Sequence, residues 1–196
     1  MSNGLFEEEG GATPLTPEER LGLIPSYITL RGELNEAEQI NIIEGDRWAF
    51  SRSRGALDVN FLRELHRRMF GQVWRWAGEY SKECDRRIGS DKYKIPIDLR
   101  ALMDEVQAWV EYDSFPPDEI ALRFHHRLTQ IHPFPNGNGR FSRMAADLLI
   151  VRQGGKRFTW GSVNLVDASA TRREYIDALR RADDHDIAPL LAFART

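Results

Sequence analysis

A single cysteine, Cys84, stands in 196 residues, so no disulfide can form within the chain and a reducing compartment is its simplest home. Long apolar runs are missing. A membrane-spanning helix needs about 20 such residues, whereas Leu148-Leu149-Ile150-Val151 is already closed in by Asp147 and Arg152. A basic excess is missing too. With 27 Lys and Arg against 30 Asp and Glu, the net charge is -3, which argues against direct nucleic-acid binding but leaves room for a local phosphate pocket. Met1 to Glu9 has neither a basic start nor an apolar centre and does not read as a secretory signal. The expectation is a cytoplasmic protein with no membrane partner. At 41% hydrophobic residues the chain can bury one sizeable core.

Helical spacing dominates what is present. Met1 to Thr16 carries Glu7-Glu8-Glu9, three glycines and Pro14, and reads as a mobile arm over 1–16. A second segment, 17–56, opens with Thr16 as N-cap before Pro17. Within it, Asn35 followed by Glu38 resembles a capping box that starts a helix running to about Phe50. The core domain, 57–196, begins with Leu57, Phe61, Leu65 and Met69 on one helical stripe. Leu99, Leu102, Met103, Val106, Trp109 and Val110 form the clearest amphipathic helix. Ala121, Phe124 and Leu128 point inward from the next, which Pro133 and Pro135 break. Phe141, Met144, Ala145, Leu148 and Leu149 mark another, stopped at Gly154-Gly155. Tyr175, Ile176 and Leu179 lie on a late helix, and Asp186 caps a last one. Tyr80 to Ile97 has no helical stripe. Lys92-Tyr93-Lys94-Ile95 alternates polar and apolar, so this stretch predicts a short β-hairpin packed on helices. The fold class expected is mainly α, a helical bundle with one hairpin.

Chemistry concentrates in Ile131-His132-Pro133-Phe134-Pro135-Asn136-Gly137-Asn138-Gly139-Arg140-Phe141-Ser142-Arg143. Gly137 and Gly139 allow a sharp turn and close approach of a ligand to main-chain amides. A helix starts there, so free N–H groups and the positive end of its dipole form an anion site. Arg140 and Arg143, three apart, add two guanidinium groups to it, which suits a polyphosphate. His132 precedes the turn, where an imidazole can take a proton from a nucleophile attacking that phosphate. The plainer reading is a capped helix beside a surface histidine. Other candidates are weaker. His125 and His126 lack a zinc-ligand pattern. His66 reads as a packed core residue, Trp74 and Trp76 as a hydrophobic brace, and Cys84 has no neighbouring base to activate it.

The same residues resemble the Fic family motif His-x-Phe-x-(Asp/Glu)-Gly-Asn-Gly-Arg-x-x-Arg, which His132, Phe134, Gly137, Asn138, Gly139, Arg140 and Arg143 match. The resemblance extends from about Leu57 to Phe193. The preceding stretch, from Pro14 through Tyr27-Ile28-Thr29 to Arg31-Gly32-Glu33-Leu34-Asn35, resembles the bacterial subgroup called mobile mystery protein B. The resemblance implies transfer of AMP from ATP to a hydroxyl of a target protein, with Mg²⁺ or Mn²⁺. It implies His132 as base, Gly137, Asn138, Gly139 and Arg140 on phosphates, Arg143 on the γ-phosphate, and Phe134 as an anchor. The hairpin would be the family's flap, adding a strand of the target, with Ile88 as its clamping side chain.

Two positions carry further expectations. The family's acidic metal ligand is Asn136 here, and an amide brings no charge, so metal affinity falls. That keeps open transfer of another phosphate-containing group, or a weakly catalytic nucleotide-binding module of toxin–antitoxin type. The subgroup implies a helix-turn-helix partner. Ile40-Asn41-Ile42-Ile43-Glu44-Gly45 resembles the family's inhibitory helix, with Glu44 expected to pair with Arg143 and obstruct the γ-phosphate. The plainer reading of Glu44 is a surface charge.

Overall fold

Prolines and glycines punctuate the chain, and the helices run between them. The computed structural model describes residues 17–51, 58–82, 89–162 and 168–196. The expected arm over 1–16, the cap Thr16, Leu57, Cys84 and Ile88 all lie outside the described residues. The helices are α1 (Pro17–Arg20), α2 (Arg31–Ser51), α3 (Val59–Phe70), α4 (Ile95–Glu111), α5 (Pro117–Ile131), α6 (Asn138–Arg152), α7 (Ala168–Asp183) and α8 (Ala188–Arg195). Among the described residues none is long and apolar enough to cross a membrane.

The core follows the predicted stripes, except that Val110, expected on the apolar face of α4, is exposed and Phe61 of α3 is only half-buried. Leu65 and Met69 of α3, Leu99 and Leu102 of α4, Phe124 and Leu128 of α5, and Phe141 and Ala145 of α6 are all buried. The two central helices α5 and α6 pack along each other, α2 packs along α3, and α3 touches both α4 and α6. Caps fix the ends. Asp58 accepts from Phe61 N–H at 2.7 Å to start α3. At α8 the expected cap is displaced by one residue: the N-cap is Ile187, and Asp186, just before it, accepts from Ala188 N–H at 3.3 Å. Past the end of α6, Gly155 N–H donates back to the Ile150 carbonyl at 2.9 Å.

Two expectations are corrected. The helix predicted to open at Asn35 begins at Arg31. The carboxylate reaching back over its start is Glu33, which accepts from Thr29 N–H at 2.8 Å and Leu30 N–H at 3.0 Å. Those hydrogen bonds hold the Glu33 carboxyl below the usual carboxylate range. Glu38 lies well inside α2 and is buried. The second correction concerns the hairpin. Lys92 to Lys94 form a turn, not a strand, and Ile95 already belongs to α4. Lys94 N–H and Ile95 N–H both donate to the Asp91 carbonyl, which winds the chain into the helix. Among the described residues the β pairing is an isolated bridge between Leu23 and Trp74. The middle of the predicted hairpin, 83–88, lies outside the described residues.

Candidate active site

The loop between α5 and α6 is held from below by aromatic packing. Phe134 is fully buried, its ring stacked on His66 with centroids 3.8 Å apart and set edge-on to Phe141 at 5.0 Å. Asn138 clamps the main chain of the same residue. Its Oδ1 accepts from Phe134 N–H at 3.0 Å, and its Nδ2 donates to the Phe134 carbonyl at 2.8 Å. His66 Nδ1 accepts from Gly78 N–H at 3.0 Å, so its proton sits on Nε2 and is donated to the Asn136 carbonyl at 3.0 Å. Burial pushes the His66 imidazole down to about 3, which keeps it neutral and suited to both partners.

The turn expected to bind an anion lies at the start of α6. Gly137 is its N-cap with φ 77°, and a Cβ there would stand 2.6 Å from Phe70 Cζ. Backbone and packing therefore both require glycine at this residue. Gly139 differs. Among the described residues a Cβ there would meet only the Tyr175 hydroxyl, at 4.0 Å, so the absent side chain leaves space above the turn. The N–H groups of Asn138, Gly139 and Arg140 have no intrahelical acceptor, as in any first helical turn. Asn138 contributes only its main chain to such a site, because its side chain is spent on Phe134.

Both predicted arginines flank this turn. Arg140 lies over the Phe70 ring, 4.9 Å from its centroid. Arg143 donates from Nε to the Gly139 carbonyl at 3.3 Å and lies 5.5 Å from the centroid of Tyr175. Burial draws the Arg143 pKa below the ordinary arginine value. Among the described residues no carboxylate stands within ion-pair distance of it. A partly buried guanidinium beside unpaired amides is a place where an anion is stabilised. The Tyr175 hydroxyl stands 3.0 Å from His125 Nε2, and burial pushes that phenol up to about 12 and His125 down to about 3. This wall of the site is thus neutral.

His132 caps α5 in the left-handed conformation, φ 51° and ψ 57°. A non-glycine residue there costs roughly 1–2 kcal/mol, and the prolines on the two sides of Phe134 hold the loop that imposes it. Its Nδ1 lies 3.4 Å from the Thr129 carbonyl, which places the proton on Nδ1 and makes Nε2 the basic nitrogen. The chain before α4 straddles this residue. Ser81 N–H donates to the Pro133 carbonyl at 2.9 Å and Ser90 N–H to the Ile131 carbonyl at 3.0 Å. No pattern in the sequence announced that pair, since both bonds use only main-chain groups. Asn136 is half-buried, and its Oδ1 accepts from Gly137 N–H at 2.6 Å.

Glu44 stands apart from these groups. It is exposed and accepts from Gln72 Nε2. The expected pair with Arg143 does not form. Gly45, which completed the resemblance to an inhibitory helix, has a packing reason instead: a Cβ there would meet Met69 Cγ at 2.9 Å where α2 crosses α3. The carboxylate of α2 that reaches a loop arginine is Glu38, 2.7 Å from Arg140 Nη1. It escaped sequence reading because the buried stripe of α2 runs Leu34, Glu38, Asn41, Gly45, Ala49. The spacing is helical, but the residues are too polar to register as a hydrophobic face.

A helical scaffold that brings a histidine, a glycine turn at a helix start and two arginines to one loop carries the groups that phosphate chemistry uses. The Fic/DOC family model matches residues 56–150, so this stretch is a Fic/DOC family domain. Among curated proteins, "Protein adenylyltransferase Fic" of Aedes aegypti is 31% identical over 66% of this chain and 25% of its own length. The chain spans about a quarter of the length of the curated relatives it matches. Among solved structures, a Fic domain containing signaling protein from Bacteroides thetaiotaomicron superposes with a TM-score of 0.64. That match has 22% identity and covers 82% of this chain and 66% of the other. An N-terminal Fic domain from Bartonella quintana with bound ADP gives 0.61 at 19% identity, over 87% and 86%. Both likenesses establish the fold.

Proposed function

We propose that this chain is a protein adenylyltransferase that moves AMP from ATP onto a hydroxyl of a target protein. The observation that carries the reading is the placement of His132. It is locked in a left-handed cap with Nε2 as its basic nitrogen, directly ahead of the open amides of α6. In the proposed reaction His132 Nε2 takes the hydroxyl proton, the oxygen attacks the α-phosphorus, and pyrophosphate leaves. The amides of Asn138 to Arg140 and the two guanidinium groups neutralise the phosphates, with Arg143 nearest the γ-phosphate by family resemblance. The name shared by the curated relatives supports the same activity.

The chain over 81–90 is the proposed flap, a β-hairpin in the family. Its anchorage on both sides of His132 would deliver a target hydroxyl to that residue, and Ile88 is the proposed clamp. Asn136 is where the loop fits a metal least well, since its oxygen already accepts from Gly137 N–H and it brings no charge. Mg²⁺ or Mn²⁺ would then be held mainly by the phosphates of ATP. The same residue favours a second reading, a weakly catalytic nucleotide-binding module paired with a helix-turn-helix protein in the cytoplasm, as membership of the mobile mystery protein B subgroup would imply.

The test is incubation with a cell lysate and ATP labelled at the α- or the γ-phosphate. Label on protein from the α position alone supports AMP transfer. Label from the γ position supports phosphoryl transfer, and ATP binding without protein label supports the module.

A further inference from the structure

We propose that Glu38 is a positioning residue for nucleotide binding, which fixes the guanidinium of Arg140 beside the phosphate loop. The proposal rests on the reading of that loop as a nucleotide site. Glu38 comes from the middle of α2 and Arg140 from the first turn of α6, 102 residues apart. Both carboxylate oxygens of Glu38 are engaged. Oε1 accepts from Trp74 Nε1 and Oε2 from Arg140 Nη1, each at 2.7 Å.

Burial makes this arrangement informative. Glu38 is 6% exposed and Trp74 1%, whereas the Arg140 side chain is 34% exposed. Taking a carboxylate out of water is costly, and a buried ion pair seldom repays that cost in stability. What it does supply is orientation. The Phe70 ring covers one face of the guanidinium and Glu38 holds Nη1. Among the described residues nothing else engages the guanidinium fork, whose remaining donors are left to a ligand at the amides.

A masking role, in which Glu38 competes with phosphate, fits less well. Trp74 fastens the carboxylate from behind, and α2 is pressed onto α3 at Gly45 and Met69, so Glu38 has no path of withdrawal. A fixed anchor suits an arginine that must be ordered before its ligand arrives.

The test is calorimetric titration of ATP into the full chain, together with KM and kcat for ATP where turnover is measurable. Glu38→Gln keeps the volume and an acceptor for Trp74 but loses the charge. It should weaken ATP binding roughly tenfold, about the cost of re-ordering one arginine side chain. KM should rise in parallel and kcat change little. Trp74→Phe should give a smaller loss in the same direction. In an Arg140→Gln background Glu38→Gln should have no further effect, since it acts only through Arg140. Unchanged or tighter binding by Glu38→Gln, or an equal loss in the Arg140→Gln background, overturns the proposal. If the parent chain binds no ATP, the nucleotide reading itself fails. If the parent binds and the variant binds equally, only the role of Glu38 fails.

Discussion

His66 lies face to face with Phe134, ring centroids 3.8 Å apart, and its Nε2–H holds the Asn136 carbonyl at 3.0 Å. A helix in the core thereby grips the loop that carries His132. The grip depends on a neutral imidazole, because a second proton would set an N–H against Gly78 N–H.

Acid should therefore loosen the fold. With His66 and His125 both pushed down to about 3, the unfolded chain binds protons between about pH 6.5 and 3 that the folded chain refuses. Stability falls as pH falls through that window, by up to about 1.4 kcal/mol per pH unit for each histidine, and these groups add no slope above it. Thermal melts from pH 8 to 4 read the slope. His66→Gln should make it shallower, and an identical slope in parent and variant would show that His66 is not the source.

The two glycines of the turn should separate structure from ligand. Gly137→Ala forces a methyl against Phe70 in a left-handed backbone and should cost about 1–3 kcal/mol of stability. Gly139→Ala should melt near the parent temperature yet bind ATP at least about tenfold more weakly, because it fills the space above the amides. Melting curves paired with calorimetry distinguish them.

His132→Ala should reduce AMP transfer by about 10²–10⁴-fold with little change in ATP affinity. Equal labelling by variant and parent in an α-phosphate label assay would remove His132 from the mechanism.

Asn136→Asp restores a charged oxygen at the loop. Mg²⁺ binding in the presence of ATP should tighten by about tenfold, with a rise in metal-dependent transfer. Calorimetry that shows no gain would mean residue 136 does not face the metal.

Glu44→Ala should leave transfer within about twofold of the parent, as an exposed residue bonded, among the described residues, to Gln72 alone would. Gly45→Ala should instead lower the melting temperature through its clash with Met69. Strong activation by Glu44→Ala would reinstate it as an inhibitor.

The sequence by itself determined the helices whose buried faces are apolar, and which polar and charged groups the loop carries. Leu99 to Val106 and Phe141 to Leu149 could be placed because hydrophobic spacing reports a buried face directly. His132, Gly137, Gly139, Arg140 and Arg143 could be named because a turn, a helix start and two cations within twelve residues are local facts. Only the tertiary structure decided which carboxylate meets that loop. Glu38 and Glu44 share α2, six residues apart, and so project from different faces. The one that faces Arg140 follows from how α2 crosses α3 at Gly45 and Met69. The division of Gly137 from Gly139, the gripping of Asn136 by His66, and the two main-chain bonds that straddle His132 were hidden for the same physical reason. Each depends on an approach between segments distant in the chain, and packing that uses polar or main-chain atoms leaves no periodic trace in sequence.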